Sequence, residues 1–451
     1  MAARLHSWWY DIKNSLWFVP ALLTLAAIVL ALLTVWIDQT LLLEQRAQVG
    51  WLFGGGSEGA RGVLEAIAST MVTVTALVFS ITVVALQLAS SQLSPRVLRA
   101  FMADRGNQTV LGFFIGTFTY ALLVLRAVRS PLEDTGGFVP SLSVTVAIIL
   151  ALLSVALLIF FVHHAANAMR ASVVIDRAAS ATRDLINHLF PEELGEGARS
   201  SPPAWLETRP AAQVRSEASG YLQVINADSL FDLAERHALI IRIEPCVGDF
   251  ILPGESVAAI WPRNVRDDNV TAAIRAALVL GPERTSQADV AFGFQQLSDI
   301  AIKALSPGIN DPTTAEICID RLGELFVHLA NRGKPDEVRS SEDGSVRVVL
   351  QGPPFADLVG QALDPIRHYG AGDPHVAVHM LGVLGRVAAL VPAEHCATIT
   401  MQASRIKATA LGRLTLPEDR ARVARAAAWA AKTCTEQARE NSGVRQRRHQ
   451  H

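Results

Sequence analysis

Hydroxyl and amide side chains recur along a long apolar stretch of the chain, from Leu64 to Gln92. Thr73, Ser80 and Gln87 are seven residues apart, close to two helical turns, so a helix places them on one face. Lipid offers these groups no hydrogen bonds, whereas neighbouring helices or a water-filled passage do. The chemistry available to this face is therefore to bind water and ions, or to bind another helix.

One interpretation of this face is that identical helices surround a symmetry axis and form a pore in a homo-oligomer. Hydroxyl and amide groups then wet the passage, while rings of leucine and valine close it by excluding water. The predicted pore-lining residues are Thr70, Thr73, Leu77, Ser80, Val84, Gln87 and Ser91. The predicted pore mouths are Glu65 at the outer end and Arg96 and Arg99 at the inner end.

A second group of polar residues surrounds a predicted helical corner. An apolar face from Val290 to Ala304 predicts a helix that ends at the sequence Ser-Pro-Gly, and Asp311 followed by Pro312 is typical of the start of the next helix. Packing alone could explain this corner, and the alternative is a site for a small anionic or polar ligand. The residues of that alternative are Arg284, Gln287, Asp299, Lys303, Asn310 and Asp311.

Metal, cofactor and enzyme chemistry find little support. His375 and His379 have a zinc-compatible spacing with Asp373 nearby, but the glutamate of an HExxH pattern is missing, so capping or exposed histidines are expected. No phosphate-binding loop, dinucleotide fingerprint or nucleophile elbow is present. We predict no catalytic residue, no metal and no cofactor. The four cysteines form no CxxC pair and are predicted to be single buried thiols.

Composition and hydropathy place the chain in a membrane. Half of its 451 residues are hydrophobic, and a net charge of −2 argues against a nucleic-acid partner. Four segments are long enough to cross a bilayer, the third being the shortest. They are Leu16–Ile37, Leu64–Leu88, Val110–Leu125 with its flanks, and Leu142–Val162.

Lysine and arginine predict the orientation of these spans. Three arginines lie between the second and third spans and three follow the fourth, whereas the first and third connections carry two each, and Arg4 and Lys13 precede the first span. Both termini are therefore expected in the cytoplasm.

The rest of the chain is predicted to be a cytoplasmic α+β region, mostly helical, below an integral membrane domain of four helices. Residues 1–162 form the membrane domain, 163–212 a helical extension and linker, and 213–268 a β-rich module. Residues 269–440 form a helical domain with a hairpin, and 441–451 a disordered basic tail. The β-rich module resembles half of a lipoyl-type hammerhead, but its turns lack the lysine that a carrier modifies. We therefore expect a small barrel-like structural module.

Two motifs carry a resemblance to a family. They are QLASSQLSPRVLRAF, from Gln87 to Phe101, and the stretch from Arg284 to Leu322 that contains SPGINDP. With four N-terminal membrane helices, they resemble the large bacterial family of predicted four-helix inner-membrane proteins of unknown function. This resemblance implies the architecture and a multi-pass location in the bacterial inner membrane, and it implies no activity.

Three classes of function remain open. The first is a homo-oligomeric channel with a cytoplasmic vestibule, and its expected partners are the lipid bilayer, copies of the same chain, and an ion or small polar ligand. The second is a membrane-anchored sensor or scaffold, in which the polar face only packs helices. The third, an enzyme at the membrane face, lacks a recognisable nucleophile or cofactor loop.

Overall fold

The computed structural model divides into two compact units, one from Leu5 to Val173, called the membrane unit, and one from Val174 onward, called the second unit. The residues that the structure describes are 15–40, 52–93, 102, 104–129, 138–190, 203–206, 208–263, 267–285, 288–332, 338–341 and 343–448, with side chains up to 437.

Four long apolar helices make up the membrane unit, and each is long enough to span a bilayer. They are α1 (Phe18–Thr40), α2 (Ser57–Gln92), α3 (Arg105–Ala127) and α4 (Ser141–Ala168). The protein is thus a multi-pass membrane protein with four candidate spans, while the orientation of its termini stays a prediction. The third span, expected to be the shortest, is the central helix and packs against the other three.

Close backbone packing explains the central position of α3. A Cβ added to Gly112 lies 2.7 Å from the Cα of Pro20, and one added to Gly116 lies 3.3 Å from the Cβ of Ala27. These two glycines are four residues apart, the spacing that lets membrane helices approach closely. Only glycine at position 112 therefore permits the observed distance between α1 and α3.

Buried polar groups in the membrane unit are joined across helices. The Tyr120 hydroxyl lies 2.9 Å from the Thr34 hydroxyl and donates to the Ser143 carbonyl at 3.0 Å. The carboxylate of Asp38 is fully buried and accepts from the backbone N–H of Leu142 and of Ser143 and from the Ser143 hydroxyl. An anion from α1 thus satisfies the first N–H groups of α4, which fixes these two helices together.

A second carboxylate, that of Asp104, also connects two helices, at the other end of α4. Asp104 accepts from the backbone N–H of Gly106 and Asn107 at the start of α3, and it lies 2.9 Å from Nε2 of His164. Asp104 therefore links the beginning of α3 to the last turns of α4.

Two open sheets and flanking helices form the first part of the second unit, after α5 (Ala171–Leu189). The sheets have the strand orders β1-β5-β3-β8-β7 and β4-β2-β6. The strands are β1 (Ala212–Arg215), β2 (Gly220–Ile225), β3 (Ile240–Ile243), β4 (Phe250–Ile251), β5 (Ser256–Trp261), β6 (Leu278–Gly281), β7 (Val338–Ser340) and β8 (Val346–Val349).

The expectation of a barrel-like module is wrong, because these sheets do not close on themselves. Helices α6 (Ala227–Arg236) and α7 (Asp268–Ala277) cover the strands and share one apolar core with them. The edge of β3 pairs in parallel with β8, which comes about a hundred residues later in the chain. Helices and a distant strand therefore bury the apolar faces that closure would have buried.

The remaining helices pack against one another and form the helical part of the second unit. They are α8 (Val290–Ala304), α9 (Pro312–Ala330), α10 (Phe355–Gly370), α11 (Pro374–Leu390), α12 (Cys396–Arg413) and α13 (Pro417–Arg448). Phe294 of α8 stacks on Phe326 of α9 with ring centroids 5.3 Å apart. The predicted helix start is confirmed, since Asp311 accepts from the Thr314 N–H and Pro312 is the first residue of α9.

Two predicted segments lie partly outside the described residues. Most of the predicted linker is among them, since residues 191–202 are not described. Of the tail expected to be disordered, residues 441–448 continue α13 and residues 449–451 are not described.

The cysteines are free, and Cys318, Cys396 and Cys434 are buried, whereas Cys246 is only half-buried. Burial raises the pKa of Cys318, and burial beside Cys434 raises the pKa of Cys396 to about 11. Burial, with a smaller contribution from nearby carboxylates, also raises the pKa of Cys246. Since the thiolate is the reactive form, Cys246 combines access with a low thiolate fraction at neutral pH.

Gly112→Ala is expected to lower the melting temperature of the protein purified in detergent, because the new methyl group overlaps the α1 backbone. Overpacking of this kind costs about 1–3 kcal/mol. The matched control is Gly62→Ala on α2, where a Cβ meets nothing within 4 Å. That substitution should leave the melting temperature unchanged or raise it, since alanine favours a helix more than glycine does. An equal loss in both variants would contradict the proposed packing.

Iodoacetamide should alkylate Cys246 alone in the folded protein, at a rate that still rises above the pH at which a free cysteine has levelled off. The raised pKa delays thiolate formation, so labelling at neutral pH is slower than for an unfolded chain. Mass spectrometry of the labelled peptides measures this rate against pH. Cys246→Ser is the control and should abolish labelling before unfolding; a rate that levels off below pH 8 would argue against the raised pKa.

Candidate functional site

The polar face of α2 lies on the surface of the protomer. Every residue predicted to line a pore is exposed, and so is Glu65 at the predicted outer mouth. Leu77 and Val84, the predicted closing residues, are 53% and 51% exposed. Arg96 and Arg99 of the other mouth lie outside the described residues. The face is therefore not occupied by the companion helices of its own membrane unit.

The exposed surfaces of the neighbouring helices differ from that of α2. On α1, every exposed residue between Ala21 and Trp36 is apolar, and on α4 the same holds between Ile149 and Val162. On α2, between Glu65 and Ser91, the exposed residues include three serines, two threonines and Gln87. Polar side chains are thus concentrated on α2, one of the three outward surfaces. The surfaces of α1 and α4 are apolar, as is typical of helices that face lipid.

Several hydroxyls of this face bond to their own helix. Thr70 donates to the Ala66 carbonyl at 2.7 Å, and Thr73 donates to the Ser69 carbonyl at 3.1 Å. This satisfies the hydroxyl hydrogen and leaves each oxygen able to accept from water or from another chain. Gln87 carries two amide donors and a carbonyl acceptor, which a single backbone carbonyl cannot satisfy. The amide is therefore the group on this face that most needs a partner outside the protomer.

The second unit contains a polar cleft of about 530 Å³ between α8 and α10. Two of the residues predicted for a ligand site, Arg284 and Asp299, line it. The other lining residues are Gln295, Ser298, Gly360, Gln361, Asp364 and Pro365. The structure therefore brings together part of the predicted site and adds a second wall from α10.

The other residues of that predicted site serve the helical corner or are not described. Asn310 has a left-handed backbone with φ of 51°, Asp311 caps α9, and the Lys303 carbonyl accepts from the Ser306 hydroxyl. None of these three lines the cleft, and Gln287 lies outside the described residues. The packing interpretation therefore accounts for the corner, while the ligand interpretation stays a prediction for the cleft.

Arg284 is fixed on the cleft wall by three hydrogen bonds. Its Nε and Nη2 donate to the two carboxylate oxygens of Asp289 at 2.7 and 2.9 Å, and its Nη1 donates to the Gln295 side chain at 2.8 Å. Asp289 is 3% exposed and also accepts from the Phe292 N–H at the start of α8. A guanidinium has five N–H groups, so two of them remain for another acceptor.

Gly248 allows the backbone of the sheet region to approach this ion pair. Its φ is 100°, and an added Cβ would lie 2.8 Å from Nη2 of Arg284 and closer still to the Asp289 carboxylate. Both the left-handed conformation and the lack of space require glycine here. The ion pair is thus held between the loop after β3 and the first turn of α8.

Two buried polar side chains, one in the cleft and one beside its α10 wall, lack hydrogen-bond partners among the residues described. Ser298 is 1% exposed, and within the described part of the chain its hydroxyl has no hydrogen-bond partner. Gln402 of α12 is fully buried, and neither of its amide atoms is bonded there. A Cβ on Gly360 would lie 3.5 Å from the amide nitrogen of Gln402, so this side chain lies beside the α10 wall. Such groups cost free energy unless a ligand or water bonds to them.

A proline interrupts the hydrogen bonds of α10 at the cleft. Pro365 lies inside the helix and has no N–H, so the carbonyl of Gln361, four residues earlier, loses its helical donor. Both residues line the cleft. The α10 wall therefore carries an additional acceptor beside Asp364, whose carboxylate lies 3.3 Å from Arg367 and 3.4 Å from Arg405.

Sequence signals existed for part of what was missed. Ser298 and Asp299 follow Gln295 by three and four residues, which places the missed Gln295 and Ser298 on the same face of α8 as the predicted Asp299. Pro365 inside an otherwise helical pattern marks a site where a backbone carbonyl loses its donor. That α10 and α8 face each other is a tertiary fact that neither signal contains.

The model of the family described as "Predicted membrane protein (DUF2254)" matches residues 13–386. The chain belongs to this family. The match includes the four apolar helices, the polar face of α2 and all residues of the cleft. The family description states a membrane protein and no activity.

Two proteins similar to this chain come from mycobacteria. The chain is 35% identical over 343 residues to uncharacterized proteins of Mycobacterium bovis and of Mycobacterium tuberculosis strain H37Rv. The alignment covers 75% of this chain and 65% of each relative, so the relatives are longer. No solved structure matches the chain.

The two histidines considered as metal ligands, His375 and His379, contact different aspartates. Asp373 caps α11 by accepting from the His375 N–H, and Nε2 of His379 lies 3.1 Å from Asp320. Over the described ranges, no group of three histidine, cysteine, aspartate or glutamate side chains is arranged to hold a metal. His375 is exposed, as expected, whereas the residue that caps α11 is Asp373 and not a histidine.

Arg284→Ala is expected to destabilise this DUF2254 protein by about 3 kcal/mol, because it leaves the buried Asp289 carboxylate without its main partner. Arg284→Lys should be intermediate, since lysine keeps the charge and loses the two-pronged contact. Denaturant unfolding followed by tryptophan fluorescence measures the change. The control is Arg386→Ala, whose ion pair with Asp320 is exposed and is worth less than about 1 kcal/mol. Equal losses in the two alanine variants would refute the structural role of the Arg284 contact.

Proposed function

We propose that the protein assembles into a homo-oligomer in the membrane, with the α2 helices lining a central passage. The observation that carries this proposal is the polar face of α2, which the protomer leaves uncovered while the outward faces of α1 and α4 are apolar. Closed symmetry places the same face of each copy around one axis.

Packing within the protomer supports α2 as the helix that faces other copies. Since α3 packs against the other three helices and has the largest buried share of the four spans, it offers the least surface for a passage between copies. The apolar surfaces of α1 and α4 suit lipid. One unit of four helices is too small to enclose a wide channel alone, so the passage needs several copies.

The order of residues along α2 suits a gated passage. Thr73, Ser80 and Gln87 extend over ~21 Å of helix, which is most of the thickness of a hydrocarbon core. Leu77 and Val84 lie between them on the same exposed side. Polar rings hold water, and the apolar rings between them exclude it when the passage is narrow. In this proposal Leu77 and Val84 close the passage in the resting state.

A membrane-anchored sensor or scaffold is the second candidate. The hydrogen bonds of Thr70 and Thr73 to their own helix favour it, because a satisfied hydroxyl packs readily between helices. The size of the second unit and its polar cleft favour it as well. In this alternative α2 pairs with another helix and no passage exists.

Leu77→Ser should increase ion current through the purified protein in planar bilayers, because a hydroxyl removes an apolar closing ring. The matched control is Leu152→Ser on α4, which is 67% exposed and faces lipid in the proposal, and it should leave the current unchanged. Absence of current in both the wild type and Leu77→Ser, with insertion verified by protease protection, would overturn the channel proposal.

Cross-linking separates the channel from the scaffold. In a chain whose four cysteines are replaced by serine, Ser80→Cys should form disulfide-linked dimers in native membranes, whereas Val155→Cys on α4 should not. Dimers through position 80 without any current would favour the scaffold. No dimers through position 80 would argue against α2 as the contact between copies.

A further inference from the structure

We infer that the cleft between α8 and α10 binds a small zwitterion of the free amino-acid type. This inference rests on the second unit alone, so it stands or fails independently of the proposed passage along α2. Its basis is that one wall offers donors suited to a carboxylate, while the walls around it offer acceptors suited to an ammonium group.

The donors come from the wall formed by Arg284 and Gln295. Arg284 uses three of its N–H groups on Asp289 and Gln295, and two remain for a ligand. Gln295 accepts from Arg284 through its carbonyl oxygen, so its amide group is oriented by that bond and keeps its two hydrogens. A guanidinium fixed by a buried carboxylate binds a second carboxylate with little loss of side-chain entropy.

The acceptors come from α8 and α10. Asp299 and Asp364 contribute carboxylates to the cleft walls, and the Gln361 carbonyl lacks the donor that Pro365 cannot supply. An ammonium group has three N–H donors and no acceptor, so it matches a set of acceptors. An acceptor set of this kind selects against a ligand that carries only negative charge.

The charged lining residues are Arg284, Asp299 and Asp364. Counted with the ion-pair partners Asp289, Arg367 and Arg405, three arginines face three aspartates, and this balance favours a ligand without net charge. The charge of Arg284 is neutralised by Asp289, and Asp364 lies within ion-pair distance of Arg367 and Arg405. None of the lining residues is aromatic, so a ring such as a nucleobase finds nothing to stack on. A cleft of about 530 Å³ is of the size that holds small molecules.

Unsatisfied buried groups indicate that the cleft is built to bond to something. The Ser298 hydroxyl lines it, is nine-tenths or more buried, and has no partner among the described residues. Gln402 lies behind Gly360 with both amide atoms likewise unbonded. Both groups destabilise the unliganded fold, and the Ser298 hydroxyl, which lines the cleft, becomes satisfied if a ligand, or water held by it, fills the cleft.

The experiment measures thermal unfolding and calorimetric binding of the full chain in detergent, with each free L-amino acid as the probe at millimolar concentration. At least one amino acid should raise the melting temperature by mass action. Two derivatives of that amino acid test the charges: its amide lacks the carboxylate, and its N-acetyl form lacks the ammonium group. Both should bind at least about tenfold more weakly, the loss expected for one charged hydrogen bond.

Pro365→Ala gives the sharpest variant. Alanine returns a helical N–H to the Gln361 carbonyl, so the unliganded protein should become more stable while its affinity for the amino acid falls about tenfold or more. A purely structural proline would not lower affinity. The control is Pro374→Ala at the first position of α11, where no helical carbonyl is affected, and its affinity should match the wild type.

Ser298→Ala provides an independent measurement. It removes an unpaired hydroxyl, so stability should be unchanged or higher while binding weakens. The inference is overturned if no amino acid raises the melting temperature of the wild type, or if the amide derivative binds as well as the free amino acid. It is also overturned if Pro365→Ala and Ser298→Ala both bind with wild-type affinity.

Discussion

A polar group removed from water needs a hydrogen-bond partner, and this constraint organises both units of the protein. In the membrane unit, Asp38 is a fully buried carboxylate that survives because it satisfies the first N–H groups of α4. Asp104 links α3 to the far end of the same helix through His164. The Tyr120 hydroxyl of α3 bonds to Thr34 of α1 and to the Ser143 carbonyl of α4. The membrane fold therefore depends on these cross-helix bonds as well as on the close contact at Gly112, because lipid supplies no partner of its own.

Two places depart from that constraint, and they are the two candidate sites. On α2 the polar groups are exposed on the protomer, and several hydroxyls donate to carbonyls of their own helix, so any further partner comes from another chain or from water. In the cleft and beside it, the buried side chains of Ser298 and Gln402 lack partners among the described residues. The first departure concerns a surface and calls for assembly, whereas the second concerns a cavity and calls for a ligand. Since the physical requirement differs, the two sites need not share one function.

The sequence predicted what depends on local spacing and missed what depends on contacts between distant segments. Hydropathy located all four apolar helices, and the Asp311-Pro312 pair located the start of α9. The third span has the shortest apolar run of the four. The spacing of four residues between Gly112 and Gly116 nevertheless indicates a closely packed helix. Closure of the β-rich module was predicted wrongly, because β8 joins β3 from about a hundred residues away. Likewise Arg284 and Asp299 were predicted as site residues, while the wall formed by Gln361 and Asp364 was not.

The cleft illustrates why a costly local feature is informative when several occur together. Pro365 deprives a helix of one hydrogen bond, Ser298 buries an unpaired hydroxyl, and Gln402 buries an unpaired amide. Each feature alone is compatible with an ordinary fold, because proteins tolerate a few unsatisfied groups. Their costs add, however: Pro365 and Ser298 line one cleft, and Gln402 lies beside its α10 wall. A guanidinium with unused donors, that of Arg284, lines the same cleft. A substitution to alanine or leucine would remove any one of these costs without disturbing the apolar core. The free energy lost there is what the inferred ligand would recover by supplying the missing bonds.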